Sequence, residues 1–155
     1  MTDPEIPYPG TYVRDQRWFD MSSIDRDNVK FHLVESSAIQ ASLAQEFANA
    51  HYWEGEADRQ AKASEGDVWM ASKHRPHEII SAKTGKPVLV DGSDDYARRA
   101  THTDENTNEL RALELLWRRR REQIEGDLSA FESKCRYLCT LGGVLRGELE
   151  MQASG

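Results

Sequence analysis

The sequence predicts an all-α fold: a long helical hairpin, with a short helix and a small β-hairpin or irregular loop at its tip, that associates with further copies. Two observations carry this. Apolar and small residues recur at alternating steps of three and four over two long stretches, the spacing of a helix seam. The chain is also polar for its length: 155 residues, 30% charged, 38% hydrophobic, net charge −7, mean hydropathy −0.75. Such a chain folds when long amphipathic helices bury their stripes on each other or on other copies.

Residues 1–20 read as an N-terminal arm. Pro4, Pro7, Pro9 and Gly10 forbid a helix interior. Tyr12, Trp18 and Phe19 suggest docking, on a neighbouring subunit among other places; a loosely packed tail is the alternative. Residues 21–150 form one helical-hairpin domain, and 151–155 a flexible tail. Ser22 or Ser23 can cap the first long helix, which then runs without proline to about Lys73. Its seam is Leu43, Phe47, Ala50, Glu54, Ala57, Ala61, Ser64, Val68 and Ala71. The small residues admit a close partner helix, and Gly55 and Gly66 weaken the helix and invite a kink.

Pro76 ends that helix. Ile79–Ile80 and Val88–Val90 are β-prone runs flanking "KTGK". They fit a hairpin with Lys83 and Lys86 at its tip, and equally an irregular loop. Ser93 caps a short helix that carries Asp94 and Asp95 in its first turn. A second start follows at Thr103–Asp104. The last helix extends to about Leu149, on a stripe of Leu128, Phe131, Cys135, Leu138, Gly142, Leu145 and Leu149. Leu110, Leu113, Trp117 and Ile124 continue the stripe backwards, with a stutter across four arginines, Arg118 to Arg121. Two helices cannot bury both seams and the aromatics, so Trp117, Arg121, Leu128, Phe131, Cys135, Leu138 and Leu145 are the expected oligomerisation residues.

The arginine run sweeps about 300° of helix surface. Arg120 or Arg121 must fall near the seam and snorkel or pair. Glu114, Glu122 and Glu125 lie within reach along the helix. A solvated, salt-bridged turn and a guanidinium belt facing phosphates are both compatible with it. Other cations gather on the first helix (Arg59, Lys62), around the tip (Lys73, Arg75, Lys83, Lys86) and on the short helix (Arg98, Arg99). Tyr52, Trp53, Trp69 and Tyr96 stand near them in sequence. Cations that track a backbone, beside rings that stack bases, are what single-stranded nucleic acid requires. The acidic total argues against a general nucleic-acid coating protein but not against local basic strips, because charges are screened over about 8–10 Å.

No catalytic set assembles: there is no glycine-rich phosphate loop, nucleophile elbow or HExxH, so no enzyme activity, metal or cofactor is expected. Cys135 and Cys139 read as thiols of a reducing compartment. No apolar run spans a membrane, and the acidic, proline-rich start is unlike a signal peptide.

The stretch "SDDYARRATHTDENTNELRALELLWRRRREQIEGDLSAFESKCRYLCTLGGVLRGELE" resembles the UvsY-type recombination mediators of tailed phages. The shared features are the capped start Ser93–Asp94, Asp104 near a second start, Lys134, and "YLCTLGG" from Tyr137 to Gly143. "AQEFANAHYWEGEADRQAKA" is similar to that family's first helix in texture, and the resemblance covers about residues 35–150. It implies a protein of the host-cell cytoplasm that binds single-stranded DNA, helps displace the single-strand-binding protein and loads a RecA-like recombinase. It implies a closed homo-oligomeric ring, a heptamer among the sizes, and no cofactor. Arg59 and Lys62 look like the family's basic positions; Arg118 and Arg119 would face DNA. The other reading is a non-catalytic structural or adaptor protein of phage assembly with protein partners only.

Overall fold

The computed structural model describes residues 3–21, 24, 28–90 and 92–153. The proposed caps Ser22 and Ser23 lie outside them. After a 3-10 turn at Gln16–Trp18 come α1 (Val29–Lys73), β1 (His77–Ile80), β2 (Pro87–Val90), α2 (Asp94–Thr103) and α3 (Glu105–Ala153). α1 continues through Gly55 and Gly66, and α3 through all four arginines. α3 also outruns its expected end at Leu149, so Gln152 and Ala153 are helical rather than a tail.

The chain divides into two compact units, Met1–Tyr8 with Tyr52–Trp117, and Pro9–His51 with Arg118–Gly155. The hairpin domain read from sequence as 21–150 is shared between them, and so is the arm.

In the first unit α1 and α3 are antiparallel. The Ser64 and Thr107 hydroxyls meet at 2.8 Å, and the Trp53 and Trp117 rings stack at 6.4 Å between centroids. Ala57 and Ala61 are fully buried, because a methyl side chain lets the second helix approach. The arm's first residues close the unit: Ile6 is buried, the Trp117 indole N–H donates to the Pro7 carbonyl at 2.9 Å, and Gln60 donates to that of Pro4.

The β-hairpin belongs to this unit. β1 and β2 are antiparallel with His77 opposite Val90 and Ile80 opposite Pro87. Gly85 takes φ +64° in the connecting turn, a conformation glycine adopts without penalty. The hairpin is thus the form taken, with Lys83 in the turn and Lys86 at its foot. Beyond it the chain passes so close to the end of α1 that a Cβ on Gly92 would overlap the carbonyl oxygens of Ser72 and Lys73. Ser93 caps α2 through a bond from the Tyr96 N–H. Asp104 ends α2 and caps α3, accepting from the Thr107 N–H at 2.8 Å.

In the second unit the buried positions of α1 fall every seventh residue, at Val29, Ser36, Leu43 and Ala50, and those of α3 at alternating steps of three and four, at Ile124, Asp127, Phe131, Lys134 and Leu138. The arm completes this core. The Phe19 ring meets Phe131 edge-on at 6.0 Å, Tyr12 hydrogen-bonds to Asp127, and Lys134 donates to the carbonyls of Trp18 and Asp20. The arm thus meets Phe131 and Trp117 within the chain, while Tyr8, Phe31, Tyr52 and Tyr137 stay exposed. Phe131 and Leu138, expected at subunit contacts, have no exposed surface in the single chain, and Trp117 keeps 7%. Leu128, Cys135, Leu145 and Arg121 are half-buried.

Candidate nucleic-acid interface

The cations read as DNA contacts separate into two groups once their carboxylate partners are known. On α1, Arg59 is held by Glu56 at 2.6 Å and Asp3 at 2.7 Å. Its hydrogen bond to Glu56 brings that carboxyl down to about 2, well below the usual glutamate value. Lys62 is held by Asp58 at 2.7 Å. Hydrogen bonds from Lys62 and then Arg111 lower the Asp58 carboxyl. Arg111, not singled out from sequence, gathers Asp58, Glu65 and Glu114 within 2.7–2.9 Å. The run "DRQAK" carries the Asp58–Lys62 spacing in plain view; the convergence on Arg111 requires two helices in register.

The arginine run behaves similarly. Arg120 pairs with Glu46 of α1 at 3.3 Å and lies 4.3 Å over the Tyr12 ring. Arg121 pairs with Glu125 at 3.1 Å. Glu114, expected to serve the run, binds Arg111 at 2.7 Å. Arg118 is half-buried and engaged. Arg119 is exposed. Of the run, Arg120 ties α3 to α1 and the arm, and Arg121 is spent within its own helix.

The cations from residue 73 to 103 are different. This stretch holds six Lys/Arg against four Asp/Glu, a net of +2 in a chain of −7. Lys73 pairs with Asp94 at 3.1 Å and sits 4.5 Å over Trp69. Arg98 touches Asp95 only at 3.9 Å. Arg75, Lys83, Lys86 and Arg99 are exposed and form no ion pair among the described residues. Beside them the imidazole of His77 lies flat on Tyr96, with centroids 3.9 Å apart and planes 4° from parallel. Arg75 and Tyr96 line one open groove of about 780 Å³, together with three carboxylates, Asp104, Glu105 and Glu109. Tyr96 was legible as a candidate ring; its partner His77 was not, because only the strand pairing brings it there. Tyr52 is exposed and Trp53 half-buried, and they meet edge to face.

Among the described residues no group of three His, Cys, Asp or Glu side chains is placed to hold a metal ion, and no helix is long and apolar enough to cross a membrane. No family model, curated protein or solved structure matches this chain.

Proposed function

We propose that the protein is a recombination mediator of the kind its sequence resembles: it binds single-stranded DNA, helps displace the single-strand-binding protein and loads a RecA-like recombinase, as a closed homo-oligomer in the host-cell cytoplasm. The observation that carries the DNA reading is the set of exposed cations Arg75, Lys83, Lys86 and Arg99, which form no ion pair among the described residues and stand in a stretch of net +2 within an acidic chain. Charge that follows a phosphate backbone beside a ring that stacks a base is worth about 1–3 kcal/mol per base. The groove shared by Arg75 and Tyr96 has both but also holds Asp104, Glu105 and Glu109, so the exposed Lys83, Lys86 and Arg99 carry more of the reading than Arg75. Arg59 and Lys62, the expected contacts on α1, would first have to release carboxylates, so their part is secondary.

Fluorescence anisotropy of labelled poly-dT tests this. Binding at about 50 mM salt should collapse by about 300 mM, because each neutralised phosphate on a single strand contributes about −0.7 to the slope of log K against log salt, about −3 for four. Reversing Arg75, Lys83 and Arg99 to Glu should lower affinity at least about tenfold, and reversing Lys62 less. No binding at low salt would overturn the reading.

The adaptor reading has its own support. Arg59, Lys62, Arg111, Arg120 and Arg121 all spend their charge on carboxylates of the same chain. Light scattering that finds an oligomer indifferent to DNA would favour it.

A further inference from the structure

Strand pairing sorts the β-hairpin into two faces, since directly opposed residues of an antiparallel pair point the same way and the side alternates along each strand. His77, Ile79, Val88 and Val90 share one face. His77 and Val90 are half-buried there, with His77 stacked on Tyr96 of α2. Glu78, Ile80, Pro87 and Leu89 share the other. On that face Ile80 is 77% and Leu89 71% exposed. The sheet has two strands among the described residues, so the outer edge of β1 keeps its backbone donors and acceptors out of any ladder, whereas Pro87 deprives the outer edge of β2 of a donor. An aliphatic, uncovered sheet face with an open edge is a template for a further strand.

From this we infer that the hairpin is a docking site for an extended, acidic segment of a partner protein, which adds to a sheet edge and lays aliphatic side chains on Ile80, Pro87 and Leu89. The charge fixes the choice of partner. Lys83 in the turn and Lys86 at the foot of β2 flank the aliphatic face and form no ion pair among the described residues. A segment carrying Asp or Glu next to Leu or Ile satisfies both features, with backbone hydrogen bonds supplying affinity and alternate side chains supplying specificity. Nucleic acid does not fit the face, because aliphatic side chains offer a base no ring to stack on. An anionic bilayer suits the lysines but cannot use a strand edge. Glu78, directly opposite Leu89, requires the segment's acidic residues to lie towards Lys83 and Lys86 and its aliphatic ones over the middle of the face. The inference does not rest on the DNA reading, although Lys83 and Lys86 enter both.

The test is a peptide-display selection against the full-length protein, with a counter-selection against the double variant Ile80→Lys, Leu89→Lys. Both residues are exposed, so the variant should keep its circular dichroism and melting temperature. Sequences mixing Asp/Glu with Leu/Ile/Val should be enriched. Synthetic peptides made from them should bind the wild type at least about tenfold more tightly than I80K/L89K, the ratio about 1.4 kcal/mol provides. They should also weaken on K83E/K86E and with rising salt. Enrichment of basic sequences, or none that depends on Ile80 and Leu89, would overturn the inference. Two parallel measurements distinguish other occupants. Sedimentation with phosphatidylglycerol vesicles lost in I80K/L89K would assign the face to a membrane. A drop in mass by light scattering in that variant would assign it to a second copy of this chain.

Discussion

The Tyr12 hydroxyl donates to the carboxylate of Asp127, 115 residues further along the chain. Arg14 reaches the same carboxylate at 3.3 Å, and Arg120 lies 4.3 Å over the Tyr12 ring. Asp127 is almost wholly buried, so it is compensated only while the arm is in place.

Asp127→Ala should therefore release the arm and lower stability by about 2 kcal/mol, since a buried partner is lost and a phenol is left unsatisfied. Urea denaturation measures the loss. Limited proteolysis should cut residues 9–20 earlier in the variant than in the wild type.

The same contact sets an alkaline limit. Burial first, and donation to Asp127 second, hold the Tyr12 phenol above its ordinary value. A group whose folded value is raised contributes stability that is complete below its unfolded value, about 10, and is lost as pH climbs towards the folded one. Unfolding free energy should thus fall above about pH 10 more steeply in the wild type than in Tyr12→Phe. Equal slopes would show that the phenol is not held this way.

Glu56 gives the acid counterpart. Its hydrogen bonds from Arg59 and then Gln60 bring the carboxyl to about 2. A depressed value contributes stability present above the unfolded value, about 4.3, and lost as pH falls through about 2. NMR titration of the Glu56 carboxyl should return it towards the ordinary range in Arg59→Met. The two proteins should converge in stability at the acid end.

Two glycine substitutions should move stability in opposite directions. Gly92→Ala places a methyl against the carbonyls of Ser72 and Lys73 and should cost about 1–3 kcal/mol. Gly55→Ala, mid-helix with open space around it, should gain up to about 1 kcal/mol. Chemical denaturation of the pair checks both signs.

Phe131→Ala separates core from interface. Phe131 has no exposed surface and meets Phe19 of the arm. Truncation should cost about 3–5 kcal/mol of folding stability while leaving the mass of the folded protein unchanged by light scattering. A fall in mass at full stability would return Phe131 to the subunit contact.

The helices were legible because helix periodicity is local. Leu43, Ala50 and Ala57 stand seven apart in the sequence and are buried seven apart in the fold. The Ser93 cap was legible for the same reason: its bond to Tyr96 spans three residues. The arm's destination was not, since nothing near Tyr12 in sequence names Asp127. Nor was the fate of the cations. Arg59 carries a near partner in Glu56 and a distant one in Asp3, and composition gives both the same weight as the exposed Arg99.

By itself, then, the sequence determined two long helices, the break at Pro76, the capped short helix and the rows of residues facing inward, all consequences of backbone preference and spacing over a few residues. Only the tertiary structure decided which arginines are spent on carboxylates, which aromatics the arm covers, and which face of the hairpin stays bare. Those outcomes depend on the register of segments 46 to 115 residues apart, and a charge has no partner until the fold brings one within reach.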